Sequence, residues 1–439
     1  MIKSILKTEL IKNIIQSAVG RYSVYIVNII SMIILARIFS PEVFGVVAIS
    51  ISIFVLFQLL AEGGIATALI NVNSLKIEDR NGIFTVMFIA AALFAVTLFL
   101  SKGYLANFFI EPLVSTAIGI SSIGVFFIIC GTVPLSFLYR DTNFYGIALV
   151  SALAELISTI SVVIMSFNFT PVIALSAKIP VTAFVKFIGF WILARGTEFG
   201  APVLGGNLKA ITHYLKFSIF QYGFNIVNYI ARNADNFAVA KKFGVESLGS
   251  YDKAYQLMKY PLLLLSSAMT PAIQPTLRKH INNKEAIGKL HDDLVFYSSA
   301  IACLLSILYF YTADYIVLIL LGNQWGTVVP LLQIFSFAIP IQVLTSTSGA
   351  FFLAFGRADL LFYTGSINAL IILCVIIASL SFGNIYTLCW SLVFTYYFNS
   401  LLTYTVLYKV VLNRSIKLFF SKSVPLMVAI IAAVLMVGL

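Results

Sequence analysis

The sequence predicts an all-α polytopic membrane protein built from two pseudo-symmetric six-helix lobes around a central cavity. Three observations carry this. Sixty per cent of the 439 residues are hydrophobic, only 10% are charged, and the mean hydropathy is +1.01. A soluble domain is about 25% charged, so these residues cannot coat a water-soluble protein of this length. Continuous apolar stretches of about twenty residues, each enough for one helical crossing, recur from end to end. A decapeptide pattern occurs twice, 204 residues apart. The apolar stretches do not alternate with polar residues, which excludes a β-barrel.

Taken in order, the spans fall near residues 14–38, 43–70, 82–101, 114–137, 144–167, 171–195, 215–240, 248–275, 294–321, 328–355, 359–381 and 384–411, with a short thirteenth run near 424–438. The expected division is an N-lobe at 1–200, a C-lobe at 201–412 and an extra hydrophobic segment at 413–439. The opening MIKSILKTELIKN is a basic amphipathic stretch without a small-residue cleavage site, so it does not read as a cleaved signal. With the N-terminus inside, the inner segments collect most of the basic residues, from Lys3, Lys7 and Lys12 through Arg140 and Arg278 to Lys422. The outer loops hold only Arg37, Lys102, Lys241 and Lys242. This distribution fits the positive-inside rule, with Lys241–Lys242 as a local exception.

The duplication is read from ARIFSPEVFG at Ala36 and AKKFGVESLG at Ala240, which share the pattern A-[RK]-x-F-x-x-E-x-[FL]-G. The ends of the fourth and tenth spans, around Arg140 and Arg357, correspond as well. Six spans per repeat give both halves one orientation. The implied pseudo-two-fold axis then runs along the membrane normal, the architecture of an alternating-access transporter.

Ionisable residues within hydrocarbon cost about 2.5–3.5 kcal/mol each on insertion scales and therefore need a reason. Span 1 carries Ser17, Arg21, Tyr25 and Asn28 on one helical face; its repeat equivalent, span 7, carries Asn225, Asn228, Arg232 and Asp235. Glu62 lies in span 2, and Tyr251, Lys253, Tyr255 and Lys259 lie in span 8. Glu155 sits in span 5, and Lys178 and Lys186 in span 6, where an interfacial anchor is an equal reading for Lys178. An i,i+3 pair of Arg232 with Asp235 and a snorkelling Arg21 are the structural alternatives.

The four cysteines lie in apolar spans without ligand spacing, and the three histidines, expected in cytoplasmic segments, form no metal pattern. No nucleophile elbow or P-loop is present, so the sequence indicates no catalytic residues, no metal and no cofactor. The net charge of +11 sits at span ends and argues for membrane topology, not nucleic-acid binding.

These residues resemble Wzx-type polysaccharide flippases of the multidrug/oligosaccharidyl-lipid/polysaccharide (MOP) exporter superfamily. The resemblance runs through ARIFSPEVFG, EGGIATALI, the segment from Phe217 to Pro261, LGNQW at 321–325 and FLAFGRADL at 352–360. It implies a MATE-like fold with a cavity lined chiefly by helices 1, 2, 7 and 8. It also implies an undecaprenyl-diphosphate-linked oligosaccharide moved from the cytoplasmic to the periplasmic leaflet of a bacterial inner membrane, for O-antigen or exopolysaccharide synthesis. The expected partners are that lipid, the bilayer and downstream polymerase machinery.

The chemistry of such a substrate assigns roles. Its diphosphate needs cations, preferably bidentate arginine, which selects Arg21 and Arg232, with Lys259 behind them. Asn28, Asn228, Tyr251 and Tyr255 are candidates for the sugars. Asp235 and Glu62 are candidates for ion coupling, and Arg37, Lys241 and Lys242 for a basic outer mouth. A drug or cation antiporter of the same superfamily would want an acidic cavity, and a membrane-embedded polymerase would want a long catalytic loop.

Overall fold

The computed structural model describes residue 20 and residues 22–62, 64–72, 74–279, 284–381, 383–423 and 427, the side chains of 213–225, 227–228, 266–276, 278–279, 284 and 286 excepted. Among these residues the regular structure is helical, with no strand. Seven helices are long and apolar enough to cross a bilayer, and Val328–Ser336 with Ile339–Ala354, bent by 56°, makes an eighth. The chain is a multi-pass membrane protein. The remaining expected spans are short, kinked or polar over their described lengths, and the thirteenth, near 424–438, lies outside the described residues but for Met427.

The chain forms two compact units, Met1–Gly249 and Ser250–Leu439. The first contains α1 (Tyr22–Ile38), α2 (Pro41–Glu62), α3 (Ile65–Asn71), α4 (Ile77–Phe109), α5 (Leu113–Cys130), α6 (Thr132–Arg140), α7 (Phe144–Met165), α8 (Pro171–Ser176), α9 (Lys178–Ala194) and the first part of α10 (Ala210–Lys279). Sequence sets these boundaries locally. At the start of α2, Pro41 fits the first helical turn, where its missing N–H costs nothing, and Glu42 complements the helix dipole. The Asn143 side chain caps α7 by accepting from the Gly146 N–H at 3.0 Å.

Two expected spans are broken. The span near 43–70 divides into α2 and α3 at Gly64, which takes a left-handed φ of 78°. The span near 171–195 divides into α8 and α9 at Ala177. Pro180 offers no N–H to the Ser176 carbonyl, so the helical ladder is interrupted there. Leu35, Phe39, Val47, Val162, Ala174 and Leu175 pack around this region and join α1, α2, α7 and α8.

The connection after α9 is strapped to the start of α4. Asn207 donates its backbone N–H to the Glu78 carbonyl at 2.9 Å and its side-chain amide to Asp79 at 2.9 Å, while the Gly205 N–H donates to Thr85 Oγ1 at 2.7 Å. Arg140 joins Glu198 at 2.7 Å and lies over the Phe199 ring. The expected lobe boundary at 200 falls within this strap.

Between the seventh and eighth expected spans the sequence suggested a loop at 241–247. These residues are helical instead, and α10 is two helices meeting at Gly244, whose φ of 85° and ψ of 172° are open to glycine alone. The flanking Lys-Lys-Phe and Val-Glu-Ser sequences have no other turn former, which is why the helix resumes at once.

The duplicated motif is visible as a contact. A Cβ on Gly45 would fall 1.7 Å from the Val245 carbonyl oxygen and 3.1 Å from the Gly249 nitrogen. A Cβ on Gly249 would fall 1.9 Å from the Pro41 carbonyl oxygen and 3.0 Å from the Gly45 nitrogen. The two motif glycines thus meet backbone to backbone, and the contact is reciprocal at the same 204-residue offset. Residues 41–45 and 245–249 all belong to the first unit.

The second unit continues α10 and adds α11 (Lys284–Tyr311), α12 (Ala313–Leu320), a 3-10 turn (Asn323–Trp325), α13 (Val328–Ser336), α14 (Ile339–Ala354), α15 (Ala358–Leu380) and α16 (Ile385–Val406). A π-helical turn at Leu407–Leu412 extends α16. Its core gathers Ile287, Val295, Leu344, Phe351, Phe352, Tyr404, Leu407, Tyr408 and Phe419.

Candidate substrate-binding site

In the first unit α1 presents Tyr25 and Asn28, both part-buried. Tyr25 lines a groove of about 190 Å³ with Gly20, Val24, Tyr139, Phe144, Ile147, Ala148 and Ser151. Arg21 and Ser17 lie outside the described residues, and so do the side chains of Asn225 and Asn228. On α10, Arg232 is exposed whereas Asp235 is only 5% exposed. Asp235 Oδ1 accepts from the Asn236 N–H at 2.9 Å. The different exposure of Arg232 and Asp235 sets the two side chains in different surroundings. Tyr229 fixes this stretch to α2 by donating its hydroxyl to the Ser52 carbonyl at 2.7 Å. Glu62, at the end of α2, accepts from Gln58 Nε2 at 2.7 Å.

Glu155 and Lys178, named separately in the sequence, meet as a pair in the first unit. Lys178, at the α8–α9 break, donates to Glu155 Oε1 of α7 at 2.5 Å and to Ser31 Oγ of α1 at 2.9 Å. Ser31 and Thr159 share a 2.6 Å hydroxyl contact, and Thr159 donates back to the Glu155 carbonyl at 2.7 Å. Three helices are thereby joined through one ammonium group. Lys178 is the ion-pair partner of Glu155. Lys186, two turns further along α9, is part-buried.

Arg37, Lys241 and Lys242 are exposed. Lys241 sits on a helix, not in a loop, and its ammonium donates to the Phe108 carbonyl and lies 4.8 Å from the Phe108 ring centroid. It therefore satisfies a carbonyl in the last turn of α4, where a cation is favoured.

In the second unit Tyr251 is 0% exposed and stacks with Tyr255 at 6.0 Å, both rings meeting the edge of Phe335. Protein rings thus cover Tyr251, while Tyr255 is part-buried, with its hydroxyl 3.1 Å from that of Tyr396. Lys259 lies 4.0 Å from the Tyr255 ring centroid, a cation–π contact. Lys253 is buried and donates to Gln256 Oε1 at 3.0 Å and to Asp252 at 3.4 Å.

A second ionic cluster closes this unit. Arg414 Nη1 lies 2.8 Å from Asp292 Oδ2, and Tyr408 donates its hydroxyl to Asp292 Oδ1 at 3.0 Å. With that proton committed, the hydroxyl accepts from His291 Nδ1–H at 3.0 Å, which assigns the histidine tautomer. His291 is 1% exposed and packs on Phe351; α11 begins at Lys284, ten residues before the expected span. A side chain at Gly288 would collide with Arg414, so the missing Cβ makes room for the guanidinium.

Among the described residues no group of three His, Cys, Asp or Glu is placed to hold a metal ion.

The helix order of this multi-pass membrane protein is that of the MOP fold. The fold matches the lipid II flippase MurJ in its inward closed conformation, with a TM-score of 0.77 at 14% identity, covering 96% of this chain and 93% of that one. It also matches an inward-facing MATE family transporter of the MOP superfamily, with a TM-score of 0.66 at 12% identity over 88% of this chain and 96% of that one. The family model described as "Polysaccharide biosynthesis protein" matches residues 34–330, and the chain belongs to that family. Among curated proteins it is similar to the succinoglycan biosynthesis transport protein ExoT of Rhizobium meliloti (strain 1021), 24% identical over 361 residues, or 82% of this chain and 72% of that protein.

Proposed function

We propose that the chain is a flippase that carries a polyprenyl-diphosphate-linked oligosaccharide from the cytoplasmic to the periplasmic leaflet of a bacterial inner membrane, with its N-terminus inside. The observation that carries this reading is the set of buried or part-buried lysines within the helices, Lys178, Lys186, Lys253 and Lys259, in a chain of the polysaccharide biosynthesis family. Each hydroxyl of a sugar head stripped of hydrogen bonds in hydrocarbon costs several kcal/mol, so unaided crossing is negligible. A hydrated path with fixed cations removes that cost and pairs the diphosphate. Alternating access of two repeats, driven by an ion gradient, the membrane potential or consumption of product by a polymerase, is the mechanism this fold supports.

Arg232 is exposed on a polar helix and is the leading diphosphate ligand, with Arg21 and Lys259; Asn28, Asn228 and Tyr255 are left to the sugars, and Asp235 and Glu62 to coupling. The test is translocation of a fluorescent polyprenyl-diphosphate oligosaccharide in vesicles containing the purified chain. Arg232→Ala is expected to abolish translocation at normal protein level, and Arg232→Lys to restore part of it, since a point charge replaces a planar fork. Exchange of a cationic drug for protons, without movement of the lipid, would replace this reading with the antiporter.

A further inference from the structure

The end of the second unit where α11 starts and α16 stops carries more cations than it pairs. Asn413 takes a left-handed φ of 52° after the π-helical turn, and the chain then runs into a short helix at 417–423. That helix is fixed by its inner face. Phe419 stacks on Tyr404 at 4.1 Å and meets the edge of Tyr408, and Ser423, one turn on, is buried. Its other face holds Lys417, Phe420, Ser421 and Lys422, all exposed. The Lys422 ammonium stands 5.8 Å from the centroid of the exposed Phe296 ring of α11. Exposed Lys409 follows Tyr408 in sequence, and exposed Lys289 follows Gly288, the residue that makes room for Arg414. Arg414 is matched by Asp292, but among the described residues none of the four lysines forms an ion pair. Against these four charges the same end of α11 exposes two carboxylates, Glu285 and Asp293. A face meant only for water has no use for the rings set among these lysines, Phe296, Tyr297 and Phe420, which are 43%, 66% and 37% exposed. Rings and ammonium groups side by side suit the headgroup layer of a bilayer.

We propose that the exposed face of the 417–423 helix, with Lys409 and Lys289 beside it, is a binding surface for the anionic phospholipid headgroups of the inner leaflet. Lys417 and Lys422 pair with headgroup phosphates, and Phe420 enters the acyl boundary beside them. Each lysine adds long-range attraction to an anionic surface besides its local contact. On the protein side the helix is held mainly by the Phe419 stack; the lipid surface closes it from the other side. The turn that sets Arg414 against Asp292 lies between the two holds. Zwitterionic lipid offers the same phosphate without net charge and binds more weakly. Such a surface serves the chain in its membrane whatever substrate it moves.

The experiment places the purified full chain in phosphatidylcholine nanodiscs that contain a photoactivatable phosphatidylglycerol or, separately, a photoactivatable phosphatidylcholine. Cross-links are mapped by mass spectrometry. The anionic probe is expected to label 409–422 and 289–297 in preference to the zwitterionic one. Lys417→Gln and Lys422→Gln should each lower that preference about fivefold, which is about 1 kcal/mol per basic residue near an anionic surface. Lys417→Arg with Lys422→Arg should keep it, which separates loss of charge from loss of fold. Raising the ionic strength should weaken the preference of the parent. Equal labelling by the two probes means ordinary contact with the bilayer and overturns the surface. A preference indifferent to both glutamine variants overturns it as well. Loss of the label to inorganic pyrophosphate at matched ionic strength assigns the lysines to a diphosphate head instead, and also overturns it.

Discussion

The Glu155–Lys178 cluster of the first unit and the Asp292–Arg414 cluster of the second bury the same kind of pair on different terms. Asp292 receives Arg414 and Tyr408, Tyr408 receives His291, and aromatic rings from α14 and α16 close around the histidine. Charge there is matched one for one, and the contacts join α11 to the π-helical end of α16. Glu155 also has a matched partner, Lys178, which the Ser31 hydroxyl of α1 holds in place. The two pairs keep similar exposure, 23% and 10% for Arg414 and Asp292 against 26% and 12% for Lys178 and Glu155, so burial does not separate them; their partners do, a tyrosine and a histidine around Asp292 and a serine hydroxyl on Lys178.

Five variants sharpen that contrast. The largest effect is expected from Arg414→Ala, which strands Asp292 in an apolar core and should lower stability by about 3 kcal/mol, read as a drop in thermal midpoint in detergent. Next, apolar replacement of both partners distinguishes the clusters. Arg414→Met with Asp292→Leu should preserve stability and translocation, because a packed hydrophobic pair substitutes for a buried ion pair. Lys178→Met with Glu155→Leu should preserve stability yet slow translocation severalfold; unchanged rates would erase the distinction. Tyr408→Phe removes two hydrogen bonds around a retained ion pair, an expected loss of about 1–2 kcal/mol without effect on transport rate. The smallest effect is expected at the exposed pair, where Lys241→Glu with Lys242→Glu should slow export modestly, and more at low ionic strength. Equal rates for mutant and parent at two salt concentrations would leave Lys241 only its cap on α4.

The fold class was legible because apolar length alone specifies membrane helices. Local breaks were not. Gly64 and the Pro180 interruption lie inside segments whose hydropathy never falls, so span 2 and span 6 read as continuous although each is two helices. The sixth-span break is what brings Lys178 to Glu155. That pair joins residues 23 apart, and the His291–Tyr408 contact joins residues 117 apart. Periodicity along one helix carries no information about such meetings. Tyr251 shows the converse: its type suits a sugar, but Phe335 and Tyr255 occupy its faces. Lys241 broke the positive-inside pattern, and the carbonyl it satisfies belongs to α4, remote in sequence.

The meeting of Gly45 with Gly249 has a consequence for history. Each approaches the backbone four residues before the other, so the contact maps onto itself when the copies are exchanged. A homodimer of six-span chains makes such an isologous contact at its two-fold axis, and there every substitution is felt twice. Fusion of the copies into one gene lifts that constraint. Gly45→Ala and Gly249→Ala become separate lesions, each forcing apart one side of a crossing whose other side is intact.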